Sequence, residues 1–113
     1  MGDVKGKTAV LVDDVLSTGG SLCKAAETAM QHGAKEVYAC VTHAVLSGAT
    51  IETIEKSPLK QVLILDTIEM KPENVHPKIK VISIAKMLSK AIECIHYDRS
   101  LGKLYDLDEI YDF

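Results

Sequence analysis

The sequence predicts an α/β fold in which a mostly parallel sheet lies between helices as a three-layer sandwich. Short apolar runs alternate with helical patterns along the chain, the arrangement that right-handed βαβ crossovers produce. The first run, Ala9-Val10-Leu11-Val12, is continuously apolar, as a strand covered on both faces requires. The residues with most chemistry follow directly after that run, beyond the carboxyl end of a strand, where sheets of this kind hold their ligands.

The elements follow in order. Gly2 to Lys7 is a polar lead-in, and strand one covers Thr8 to Asp14. A helix runs from Gly20 to His32 with Leu22, Ala25, Ala26, Ala29 and Met30 on one face, and Gly33 stands where a helix end favours glycine. Strand two is Glu36 to Thr42. After the Ser47-Gly48 turn, Ala49 to Lys56 reads as a short helix with Ile51 and Ile54 inward, stopped by Ser57-Pro58. Strand three is Gln61 to Leu65, and the polar stretch Asp66 to Lys78, with Pro72 and Pro77, reads as loop. Strand four is Val81 to Ile84. Ala85 to Tyr97 forms the last helix, with Met87, Leu88, Ala91, Ile92 and Ile95 inward. Residues 1–105 make one domain and 106–113 an acidic tail.

Composition excludes several classes. With 47% hydrophobic and 26% charged residues the chain is of globular type. A net charge of −3 offers nothing to a phosphate backbone, and with no Trp and one Phe there is no base-stacking platform, so nucleic acid is not an expected partner. No apolar run reaches membrane-spanning length, and the first residues lack the apolar core of a signal peptide, so a cytoplasmic location without membrane contact is expected. Cys23, Cys40 and Cys94 are too widely spaced for a Cys-x-x-Cys motif and are expected as reduced thiols. His32, His43, His76 and His96 show no metal-ligand spacing. His32 suits a helix end. His43 suits either a ligand contact or a loop hydrogen bond, and Asp66 and Thr67 either a cap on the site or a turn.

The candidate site is Asp13-Asp14 followed by Ser17-Thr18-Gly19-Gly20-Ser21 and the start of a helix. Glycines let backbone N–H groups close round an anion, and the helix start adds unpaired donors and the positive end of its dipole. The hydroxyls of Ser17, Thr18 and Ser21 can donate to phosphate oxygens. The two carboxylates can accept from sugar hydroxyls or hold a hydrated Mg²⁺.

This order of strand, Asp-Asp, Thr-Gly-Gly-Ser and helix resembles the phosphoribosyl diphosphate (PRPP) motif of the phosphoribosyltransferase-like superfamily. Val4-Lys5-Gly6-Lys7, His32 to Ala39, Thr42 to Gly48 and Ser83 to Ile92 narrow the resemblance to the carboxyl-terminal half of ribose-phosphate pyrophosphokinase, or PRPP synthetase. That family transfers diphosphate from Mg-ATP to ribose 5-phosphate. The resemblance implies that Asp13 contacts the ribose, and that Ser17, Thr18, Gly19, Gly20 and Ser21 cradle its 5-phosphate. It also implies that Asp14 serves as a Mg²⁺ or hydroxyl partner. Ser17 departs from the aspartate frequent in the family, and the acidic end from 106 departs from its usual finish.

The resemblance further implies ribose 5-phosphate or PRPP as ligand, ATP as co-substrate of the full-length enzyme, Mg²⁺ as cofactor and a homo-oligomer as the assembled form. The family's other half carries the cationic loop that meets the moving diphosphate. This chain has one arginine, Arg99, distant in sequence from the phosphate loop, so it is expected to be inactive alone. Two other functions fit less of the sequence: a small phosphoribosyltransferase, for which no base-recognition segment is visible, and a non-catalytic synthetase-associated regulatory domain.

Overall fold

The computed structural model describes residues 2–105. The chain divides into two compact units, residues 1–82 and 83–113. The first contains β1 (Thr8–Leu16), α1 (Gly20–Gln31), β2 (Glu36–Ala44), α2 (Thr50–Lys56), β3 (Leu59–Leu65), a 3-10 turn at Pro72–Asn74 and β4 (Ile79–Ile82). Every ladder between these strands is parallel, and the strands lie side by side in chain order, β1-β2-β3-β4. The predicted α/β architecture with a parallel sheet is therefore present.

Several boundaries move. β1 continues past the two aspartates to Leu16, because Val15 and Leu16 still pair with His43 and Ala44 of β2. β3 begins at Leu59, directly after Pro58. β4 is Ile79–Ile82 rather than Val81 to Ile84: its register against β3 starts at Val62 opposite Ile79, and Ile84 already caps the helix that follows.

The core sits on one face of the sheet. Val37, Ala39 and Val41 alternate inward along β2, Leu59, Val62 and Ile64 face the same core from β3, where a register shift sets the first two three residues apart, and Leu22, Cys23, Ala26 and Ile54 close over them from α1 and α2. The inward stripe of α1 differs from expectation. Cys23 is buried in place of Ala25 and Met30, which are exposed. Apolar residues flank the stripe on both sides, so contact with α2 selects the face, and the Cys23 thiol meets the Thr53 carbonyl at 3.7 Å. Burial is the main cause that pushes the Cys23 thiol above its ordinary value. It therefore stays protonated and unreactive at neutral pH. The continuous apolar run of β1 predicts a strand covered on both faces, but Val10 and Val12 are exposed on the face opposite the core, Val12 by 81%. Right-handed crossovers that advance in a single direction place their helices on one side, which is why α1 and α2 share a face.

Lys78 ties the short α2 down. Its ammonium donates to the carbonyls of Ile54, Glu55 and Ser57 at 3.3, 3.0 and 2.9 Å, placing a charged donor at the carboxyl end of the helix. Replacing Lys78 by methionine keeps the aliphatic stem and removes these bonds. We expect a loss of about 1–2 kcal/mol in urea unfolding, the scale of charge-assisted hydrogen bonds on a half-buried group.

The second unit holds α3 (Ala85–His96) and a 3-10 turn at Leu101–Tyr105 that packs against it. The Ser83 hydroxyl accepts from the Ala85 N–H at 3.3 Å. Of the residues expected inward, Ala91 is half-buried while Met87, Leu88, Ile92 and Ile95 are exposed. The apolar stripe is present, but no residue of α3 is buried. The acidic segment 106–113 lies outside the described residues.

Candidate functional site

β1 ends at Leu16, and the chain reaches α1 through Ser17, Thr18 and Gly19. Gly19 stands at the helix N-cap with φ +81°, a left-handed conformation that side chains resist. It is buried, whereas Ser17, Thr18, Gly20 and Ser21 are exposed. No side chain caps α1, so the N–H donors of its first turn are left for another acceptor. Asp13, Ser17, Thr18, Gly19, Gly20 and Ser21 line one open depression of about 180 Å³, together with Val15, Leu16 and Leu22. Loop donors and the Asp13 carboxylate thus line the same open concavity.

Asp14 is not among the residues lining that depression. Successive residues of an extended strand face opposite sides, so the two adjacent carboxylates diverge. The Asp13 carboxylate accepts from the Asp14 N–H at 2.8 Å, which fixes its orientation at the rim. Among the described residues no three His, Cys, Asp or Glu side chains converge as a metal cage.

A second segment supports the loop from behind. The Leu16 carbonyl accepts from the N–H groups of Val45 and Leu46 at 2.9 and 3.1 Å, and the Ser17 carbonyl from that of Ser47 at 3.0 Å. The Ser17 and Ser47 hydroxyls meet at 2.8 Å. Leu46 adopts φ +51° to make this approach. Sequence reasoning did not assign Val45 to Ser47 a role at the site. The available signal was the Ser47-Gly48 turn just beyond the carboxyl end of strand two, beside the loop that follows strand one.

The remaining expected residues take modest roles. The His43 ring meets the Thr67 hydroxyl at 2.8 Å, and that hydroxyl donates to the Thr42 carbonyl at 3.0 Å. Thr67's only hydrogen is thereby used, so the His43 ring donates to it through Nδ1–H. His32 ends α1 with its ring 2.8 Å from the Thr28 carbonyl. Arg99, in the second unit, lies over the Tyr97 ring at 5.0 Å and meets Glu93 at 3.5 Å.

A family model described as the phosphoribosyl synthetase-associated domain matches residues 1–106. The chain belongs to the phosphoribosyl synthetase-associated domain family. Members of the curated set that resemble this family domain include the ribose-phosphate pyrophosphokinase of Caldanaerobacter subterraneus subsp. tengcongensis. The two are 51% identical over 105 residues, covering 93% of the chain and 33% of the relative. The ribose-phosphate pyrophosphokinase of Clostridium acetobutylicum is 50% identical over 105 residues, with the same coverage of 93% and 33%. In three dimensions the domain matches the crystal structure of phosphoribosylpyrophosphate synthetase from Mycobacterium smegmatis. The TM-score is 0.82 at 33% identity, over 87% of this chain and 33% of that one. The synthetase-associated domain thus spans about one third of the length of these relatives. They are enzymes by name, and this chain corresponds to part of one.

Proposed function

We propose that this chain is the ribose 5-phosphate- or PRPP-binding part of a ribose-phosphate diphosphokinase, from the carboxyl-terminal half of the longer polypeptide. The loop Ser17–Ser21, leading into the uncapped start of α1 with Asp13 at the rim, is the single observation that carries this reading. The amides of the loop and the hydroxyls of Thr18 and Ser21 bind the terminal phosphate, and Asp13 accepts from the sugar hydroxyls. The complete enzyme moves diphosphate from Mg-ATP to the anomeric hydroxyl, acts in the cytoplasm and assembles as a homo-oligomer. Mg²⁺ keeps most of its water and needs only one or two protein carboxylates beside ligand phosphates. Asp13 or Asp14 can supply one, although their divergence prevents both from chelating the same ion.

The isolated chain makes no PRPP. Phosphoryl-type transfer depends on cations placed at the developing charge. The one arginine, Arg99, follows the last helix, where it meets Tyr97 and Glu93, and is far in sequence from the phosphate loop. Among the described residues no helix is long and apolar enough to cross a membrane.

Amide NMR titration of the full chain tests the binding step. Ribose 5-phosphate should shift Ser17 to Leu22 and bind more tightly than ribose, with a Kd no better than about 1 mM for so open a site. Shifts confined to other residues would remove the assignment. The family description favours a second reading, a non-catalytic domain that associates with active synthetase subunits. Mixing with a full-length pyrophosphokinase separates the two: association that changes the partner's rate supports the regulatory role.

A further inference from the structure

We propose that Thr50 is a positioning residue for the anion loop, an inference that builds on the sugar-phosphate reading of that loop. An anion-binding turn must present N–H groups and turn its carbonyls away, since a carbonyl oxygen facing inward repels phosphate. Here the carbonyls of Leu16 and Ser17 point to the segment 45–50, which supplies a donor to each through Val45, Leu46 and Ser47. Those three donors are backbone amides and would be present with almost any side chains. Thr50 is different. Its hydroxyl donates to the Ser17 carbonyl and also to that of Ser47, a three-centre bond that joins the two segments through one side chain.

Thr50 is 1% exposed, so water cannot replace the hydroxyl if it is lost. A second contact is independent of the first. The Thr50 methyl group lies 3.4 Å from where a Cβ on Gly19 would be. Thr50 therefore holds Ser17 by its oxygen and fills the space under Gly19 by its methyl, fixing both ends of the short turn. Together with the Ser47 N–H, the hydroxyl sets which way the Ser17–Thr18 peptide faces, and so whether the Thr18 amide points into the depression.

Isotope-labelled full-length chain carries the test, in wild-type, Thr50→Val and Thr50→Ser forms. Valine keeps shape and removes the donor, while serine keeps the donor and removes the methyl. Amide exchange of Thr18 to Ser21 is read without ligand, then inorganic phosphate and ribose 5-phosphate are titrated. Thr50→Val should fold, exchange faster in the loop and bind both ligands about three- to tenfold more weakly, the worth of one hydrogen bond. Thr50→Ser should restore much of the affinity, which a purely space-filling role would not allow. Wild-type loop exchange and affinity in the valine variant would overturn the proposal. If wild type binds neither ligand yet valine still loosens the loop, the sugar-phosphate reading fails and the positioning role stands. Should the valine variant not fold, Thr50→Cys, a small side chain and poor donor, is compared with Thr50→Ser by the same criteria.

Discussion

Gly19→Val is expected to abolish ribose 5-phosphate binding by this chain while leaving most of the fold intact. At φ +81° an ordinary L-residue carries a cost of about 1–2 kcal/mol, and a branched side chain more. Space adds to the strain. A Cβ there would lie 3.4 Å from the Thr50 methyl, 3.8 Å from Leu16 and 3.9 Å from Ile54, and the two γ carbons of valine would have to enter the same packed layer. The loop can relieve both only by rotating the peptide back to negative φ, which turns amides out of the depression. We expect more than about tenfold weaker binding, with a stability loss of about 2–3 kcal/mol in urea. Gly19→Ala, which adds only the Cβ, should lie between. Wild-type affinity in the valine variant would show that the left-handed turn is not required for the anion.

The largest loss of stability is expected from Ile54→Ala. Ile54 is fully buried and joins α2 to the core beneath the sheet. Truncation of such a side chain costs about 2–5 kcal/mol, a large part of the roughly 5–15 kcal/mol that holds a domain together. The loss should appear as a lower urea midpoint at unchanged slope. Binding should weaken as well, because the void opens next to Gly19 and Thr50, whereas truncation of an exposed residue such as Val12 should affect neither. An Ile54→Ala variant with a wild-type midpoint would mean that α2 does not anchor this layer.

Both effects depend on parts of the chain that were unequally legible in the sequence. β1, the turn and α1 could be read directly, because a continuous apolar run, paired glycines and a helical period are local signals. The contacts behind the turn could not. Val45, Leu46, Ser47 and Thr50 reach Leu16 and Ser17 across about thirty residues, and only the parallel pairing of β1 with β2 brings them together. The same limit explains α1. Ala25, Met30 and Cys23 are all apolar enough to face inward, and the choice of Cys23 follows from where α2 lies. Asp13 and Asp14 look equivalent as a pair of letters, yet pleating separates them, and Asp13 alone joins the depression. The stripe on α3 was visible as a pattern, but periodicity does not determine what, if anything, covers it.

Among the described residues β1 pairs on one side only, with β2, so in the isolated chain the turn that follows it stands at a margin rather than in a crevice between two neighbours. A guest held there keeps bulk water along one flank, and dissolved counter-ions reach within the roughly 8–10 Å over which salt mutes a charge. Attraction between the helix start and a dianion is then at its strongest in dilute buffer and fades as ionic strength rises. Affinity in such a place comes from the shape of the amide cradle more than from charge.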